Sequence, residues 1–131
     1  MILKKIVYSK LNSKQKENYN FHKAASKLVE YGYNSIKLND DWKGADFICL
    51  SSVGQEMIKV QLKGRFTIDK KYLGKDIHII FIEKSEIRMY KHDEAVNVAT
   101  ENVLNSKSWK EKGCYHWNKT PHHYNKIINN L

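Results

Sequence analysis

From Ile77 to Ile82 the chain reads Ile-His-Ile-Ile-Phe-Ile, a nearly unbroken apolar run of strand length. Apolar residues at both parities of a strand need cover on both faces, so this run predicts a central strand inside a layered sheet. Around it the other elements fall into order. Met57 to Leu62 alternates, with Ile58, Val60 and Leu62 pointing one way and Lys59, Gln61 and Lys63 the other. Ala45 to Leu50 precedes it through Ser51, Ser52, Val53, Gly54 and Gln55, which predicts a hairpin. Ile87 to Tyr90 returns beside the apolar run through Lys84, Ser85 and Glu86.

Upstream, Phe21, Ala24, Ala25, Leu28 and Val29 recur at helical spacing, with Ser13 as the expected cap and Gly32 as the stop. Tyr33 to Leu38 reads as a strand and Asn39 to Gly44 as a loop. The stretch Ile2, Leu3, Ile6, Val7 fits a short helix and a strand equally. Downstream, Asp93 is the expected cap of a helix carrying Ala95, Val96, Ala99 and Val103, and Thr120 with Pro121 is expected to open a last helix through Ile127 and Ile128. The predicted fold class is α/β: a small mixed central sheet flanked by helices. At 131 residues and 41% hydrophobic content the chain suits a single domain, with residues 105–131 an aromatic and histidine-rich extension.

No apolar run reaches the roughly 20 residues of a membrane-spanning helix, and Lys4, Lys5 and Lys10 interrupt the N-terminal stretch. Two cysteines, Cys49 and Cys114, make no disulfide framework. The expectation is a cytoplasmic protein with no membrane partner. Lys and Arg number 23 against 14 Asp and Glu, a net charge of +9, which favours a polyanionic partner, foremost nucleic acid. Arg65 and Arg88 are the only arginines, so contact with the phosphate backbone is expected over reading of base edges.

The hairpin brings three polar residues together. It pairs the start of its first strand, Asp46, with the end of its second, where Gln61 and Lys63 share a face. A carboxylate and an amide carbonyl are hard oxygen ligands suited to Mg²⁺, and a neighbouring ammonium can orient a water or stabilise charge on a phosphoryl group. Taken singly, Asp46 reads as a turn cap and Gln61 and Lys63 as a solvated strand face. The combination, in a basic chain with this element order, is what points to chemistry.

Gly44-Ala45-Asp46-Phe47-Ile48 followed by Val60-Gln61-Leu62-Lys63-Gly64-Arg65 resembles the motif of the PD-(D/E)XK nuclease superfamily, the restriction-endonuclease-like fold that includes Holliday junction resolvases and intron-encoded homing endonucleases. The resemblance extends over residues 14–90. It implies that Asp46 is the central metal-binding acid, that Gln61 takes the place of the usual Glu or Asp as second metal ligand, and that Lys63 is the motif lysine. Members with a Gln-x-Lys version exist. A neutral amide brings no charge, so a further acid is wanted; Glu17, on the core-facing stripe of the first helix, is the candidate, with Asn20 and His22 nearer and Asp40 and Asp41 in reserve. The implied activity is Mg²⁺-dependent (or Mn²⁺-dependent) DNA endonuclease cleavage with catalytic residues Asp46, Gln61, Lys63 and Glu17, in a homodimer by analogy.

Arg65, Lys70, Lys71 and Lys75, interleaved with Tyr72, follow the motif and are expected along the DNA backbone. Cys114, His116, His122 and His123 match no standard zinc spacing. Trp109, Tyr115, Trp117 and Tyr124 are expected to pack a C-terminal lobe. Two other readings stand beside the nuclease: a nucleic-acid-binding module of the same fold that has lost chemistry, and a protein-interaction domain whose lysines only solubilise it.

Overall fold

The computed structural model describes residues 1–131. Its centre is a six-stranded mixed sheet in the order β1-β2-β3-β5-β6-β8, built from β1 (Tyr33–Trp42), β2 (Ala45–Ser51), β3 (Met57–Leu62), β5 (Ile77–Glu83), β6 (Glu86–Lys91) and β8 (Asn129–Asn130). All neighbours are antiparallel except β3 and β5, which run parallel. That parallel pair needs a crossover, and residues 63–76 supply it, carrying the short strand β4 (Thr67–Asp69) and a 3-10 turn at Lys70–Tyr72. β4 pairs with β7 (Cys114–His116) in a separate two-stranded ribbon.

The alternation read in the sequence sorts the two faces. Ile58, Val60 and Leu62 pack with Phe47, Cys49 and Ile80 beneath α1 (Ser13–Val29), whose Phe21, Ala24 and Leu28 are buried. Ile77, Ile79 and Phe81 face the other way, into a second cluster with Phe66, Tyr90 and Tyr124. The apolar run is therefore covered on both sides, as its composition requires. Trp109 and Tyr124 are buried in that second cluster and Tyr115 and Trp117 pack against it, so the C-terminal aromatics do serve as packing.

Several local expectations are corrected. Asn12, not Ser13, caps α1, through a box in which Asn12 accepts from the Gln15 N–H and Gln15 accepts from the Asn12 N–H. Val29 lies on the exposed side of that helix. Asn39 to Trp42 belong to β1 instead of a loop, because Lys43 and Gly44 alone close the hairpin with positive φ at both positions. Ile2 to Val7 form neither helix nor strand but an exposed arm leading to a 3-10 turn at Tyr8–Lys10.

The helix expected from Asp93 to Val103 is two short ones, α2 (His92–Asn97) and α3 (Glu101–Leu104). Asp93 does not cap; its Oδ1 meets Nδ1 of His92 at 2.9 Å and its Oδ2 accepts from the Gly74 N–H at 3.0 Å. His92 is fully buried, and its Nε2 accepts from the Asp69 N–H at 2.9 Å, which leaves the ring proton on Nδ1. This relay ties down both ends of the segment that carries Lys70, Lys71 and Tyr72. The last expected helix is a 3-10 turn, His122–Ile127, and Thr120 bonds Glu83 instead of capping it. No helix is long and apolar enough to cross a membrane.

Candidate nuclease site

The site forms where β2 begins and β3 ends. Phe47 pairs with Val60, so the next step along the hairpin sets Asp46 beside Gln61. Asp46 Oδ2 accepts from the Leu62 N–H at 2.9 Å, which leaves Oδ1 for another partner. Lys63 prolongs the parallel pairing by donating its N–H to Ile80 O at 2.9 Å. Its Nζ then lies 5.2 Å from the Tyr72 ring centroid. Tyr72 also walls the site from below Gly44, where a Cβ would come within 3.1 Å of its ring; with φ +88 this position suits glycine on both counts.

Gln61 is buried, and its Nε2 contacts Leu62 O at 3.4 Å, but its Oε1 has no hydrogen-bond partner. A buried acceptor left open costs roughly 1–3 kcal/mol, so an electropositive partner at this point is favoured. Beside it the Asp46 carboxyl is raised above the usual carboxylate range. Burial is the main cause; the Leu62 N–H and the Lys63 ammonium oppose it, and the Glu17 and Asp41 carboxylates reinforce it. A hydrated divalent cation would relieve the burial penalty, the repulsion and the open carbonyl together.

The structure brings together Asp46, Gln61 and Lys63, with Glu17 near enough for its charge to act on Asp46. Glu17 is about half exposed and pairs with Lys14 at 3.6 Å and with Lys37 of β1 at 3.7 Å. The alternatives on α1 point elsewhere: Asn20 donates to the Tyr8 hydroxyl and His22 is exposed against Phe21. Asp41 accepts from the Gly44 N–H at 2.8 Å and so fixes the turn, while Asp40 is exposed on β1. No three His, Cys, Asp or Glu side chains converge on one point anywhere in the chain.

Beyond Lys63 opens a polar groove of about 420 Å³ lined by Lys63, Gly64, Arg65, Thr67, Asp69, Cys114 and His116. Arg65 is exposed and is held by Asn118 Oδ1 at 2.6 Å. Lys70 lies over Trp109 and Lys71 over Tyr72, both exposed, and Lys71 also pairs with Asp69 at 3.9 Å. Lys75 is exposed past the same turn. The His116 imidazole is held below the usual histidine range, chiefly by burial and then by Arg65, Lys112 and Lys63. A cavity of about 430 Å³ at the other end of the sheet, around His78 and Met89, contains none of these residues.

Sequence reasoning did not find Tyr72 as a wall, Lys37 as the partner of Glu17, or the β4–β7 ribbon as the far side of the groove. The signal for Tyr72 was present in Gly44, whose need for close approach implies a large neighbour. No local pattern marks β4 or β7, which are three residues each.

A mixed sheet with a helix on one face, a parallel β3–β5 pair and a polar cluster at the β2–β3 mouth is a nuclease-like fold. The chain is similar in structure to a bacterial homing endonuclease, I-Ssp6803I, with a TM-score of 0.51 over 84% of this chain and 78% of that one, at 15% sequence identity. No protein-family model matches the chain, and no curated protein matches its sequence.

Proposed function

We propose that the chain is a metal-dependent DNA endonuclease of the PD-(D/E)XK type that hydrolyses phosphodiester bonds. The observation that carries this is the open, buried Gln61 Oε1 beside the free Oδ1 of Asp46, at the end of the strand that delivers Lys63. Asp46 Oδ1 and Gln61 Oε1 would hold Mg²⁺ or Mn²⁺, with the Glu17 carboxylate adding charge from α1. When bound, such an ion withdraws charge from a phosphate oxygen and makes a water more acidic.

Around it each side chain has a distinct task. Asp46 must shed its proton to act, and its raised pKa makes that step pH-dependent. Lys63 holds its Nζ at the mouth of the groove, over the Tyr72 ring, where it can donate a hydrogen bond to a phosphate oxygen as charge develops there. Arg65, Lys70, Lys71 and Lys75 extend the positive surface along the path of the backbone and position the duplex without reading its sequence. The bond broken is one P–O ester bond, with water supplying the new oxygen.

The test is incubation of the wild type and Lys63→Ala with supercoiled plasmid, a four-way junction and single-stranded DNA, in Mg²⁺, Mn²⁺ or EDTA. Metal-dependent cutting by the wild type, lost in Lys63→Ala while binding persists, is the expected result. Binding without cutting in every condition would overturn it in favour of an inactive DNA-binding module, the reading that the neutral amide at 61 and the lack of three converging acidic or histidine ligands favour.

A further inference from the structure

α1 and the C-terminal segment leave part of the sheet without a covering layer. α1 packs on one face of β1, β2 and β3, and the aromatic cluster covers the opposite face of β5 and β6. Past the Asp46–Gln61 site, which Tyr72 covers, the second face of β1 to β3 is left open around Ile36, Leu50 and Met57. Register sets Ile36 beside Ile48, and Leu50 beside Met57; Ile36, Leu50 and Met57 are 48%, 40% and 47% exposed. An antiparallel face turned to water is ordinarily polar, and here only Asn34, opposite Leu50, and Lys59, opposite Ile48, interrupt the apolar side chains beyond the Asp46–Gln61 end. β1 is also the edge of the sheet, so its outer row of N–H and C=O groups is unpaired.

A second unburied apolar surface lies on the same chain. The arm from Met1 to Val7 has no regular secondary structure, and its Ile2, Leu3, Ile6 and Val7 are 63–87% exposed. The arm is anchored at Tyr8, which packs on Tyr19 at 5.4 Å and accepts from Asn20, on the α1 side of the sheet. Lys4 and Lys5 lie between its aliphatic residues, while exposed Asp40 and Asp41 end β1 beside the open face. Apolar side chains match apolar face, and lysines match acids.

We propose that the arm of one copy lies across the open face and the free edge of β1 in a second copy, and reciprocally, forming a two-fold dimer. Nucleic acid is a poor occupant, because Ile36, Leu50 and Met57 offer nothing to a phosphate. A second copy supplies, in its N-terminal arm, a segment that complements the face in both polarity and charge. The dimer does not depend on the nuclease reading, since it is measured without metal or DNA.

Sedimentation equilibrium should give twice 15.4 kDa for the wild type. Ile36→Lys on the face and Leu3→Asp on the arm should each weaken the dimer by about tenfold or more, with unchanged circular dichroism because both sites are exposed. To distinguish exchange from folding back, Leu3→Cys and Met57→Cys are placed on separate chains, each in a Cys114→Ser background, mixed and oxidised. A disulfide between the two chains is expected. A monomeric wild type, a dimer indifferent to both charge substitutions, or a bond that forms only when both cysteines share one chain would each overturn the proposal.

Discussion

At the scale of single residues the site is held in tension. Asp46 is half-buried next to Glu17 and Asp41, and its carboxyl is raised above the usual carboxylate range chiefly by that burial. The folded metal-free protein therefore binds a proton more tightly than the unfolded chain does. Stability from this group is full below about pH 4 and is lost as the pH rises through the folded-state pKa. Asp46→Asn keeps the acceptor for the Leu62 N–H and should flatten that loss, seen as a urea midpoint that no longer falls across this range. Divalent affinity should show the opposite trend, rising with pH in the wild type and absent from Asp46→Asn. Gln61→Glu offers the complementary change. A third carboxylate should tighten Mn²⁺ by about tenfold, or 1.4 kcal/mol, in a calorimetric titration, while lowering the thermal midpoint of the metal-free protein through added repulsion.

Among elements, the decisive contact is the one that fastens the C-terminal segment to the sheet. Arg88 on β6 is buried and its guanidinium reaches three places: Glu83 on β5 at 2.8 Å, Asn125 at 2.7 Å and Asn130 on β8 at 2.9 Å. Glu83 in turn accepts from both the N–H and the hydroxyl of Thr120. Burial alone would raise the Glu83 carboxyl, but the Thr120 and Arg88 bonds outweigh it and hold it low. Its contribution is therefore present above about pH 4.5 and lost as pH falls through the depressed value, opposite in sign to Asp46. Arg88→Ala should cost about 3–5 kcal/mol by chemical denaturation, since it strands a carboxylate and frees β8.

Sequence reading reached this scale unevenly. β2, β3, β5 and β6 were legible because hydrophobic alternation and apolar runs are local signals, and the hairpin register that joins Asp46 to Gln61 followed from them. Asn39, Asp40 and Asp41 look like a loop in the sequence, but β1 continues through them as an irregular stretch until Trp42 pairs with Ala45. β4, β7 and β8 owe their existence to partners remote in the chain, and so does the start of the helix after Lys91, where His92 and Asp93 bond Asp69 and Gly74. Asp46, Gln61 and Lys63 could be named from spacing. The open Gln61 carbonyl and the Tyr72 wall could not, being properties of packing.

For the whole molecule the governing quantity is the +9 charge spread over a small body. Its exposed lysines should make DNA binding strongly salt-dependent, with log Kd rising by about 0.9 per phosphate contact for each tenfold increase in salt. Arg65→Ala and Lys70→Ala should each reduce that slope by about one and weaken binding alike on unrelated sequences, as a fluorescence anisotropy salt series would record. Lys63→Ala should remove cutting far more than binding, which would separate the role proposed for Lys63 from that of its neighbours.

The two cysteines give this fold a built-in pair of clocks. Cys49 is sealed in the central sheet against Ser35, at 3.3 Å, with its thiol pushed up by burial, whereas Cys114 sits half-buried on the small ribbon. A thiol reagent will modify Cys114 at the pace of local breathing and reach Cys49 only when the β1–β2–β3 sheet comes apart. The ratio of the two labelling rates reads the opening of the sheet against that of the groove wall in a single tube, with no probe added to the chain.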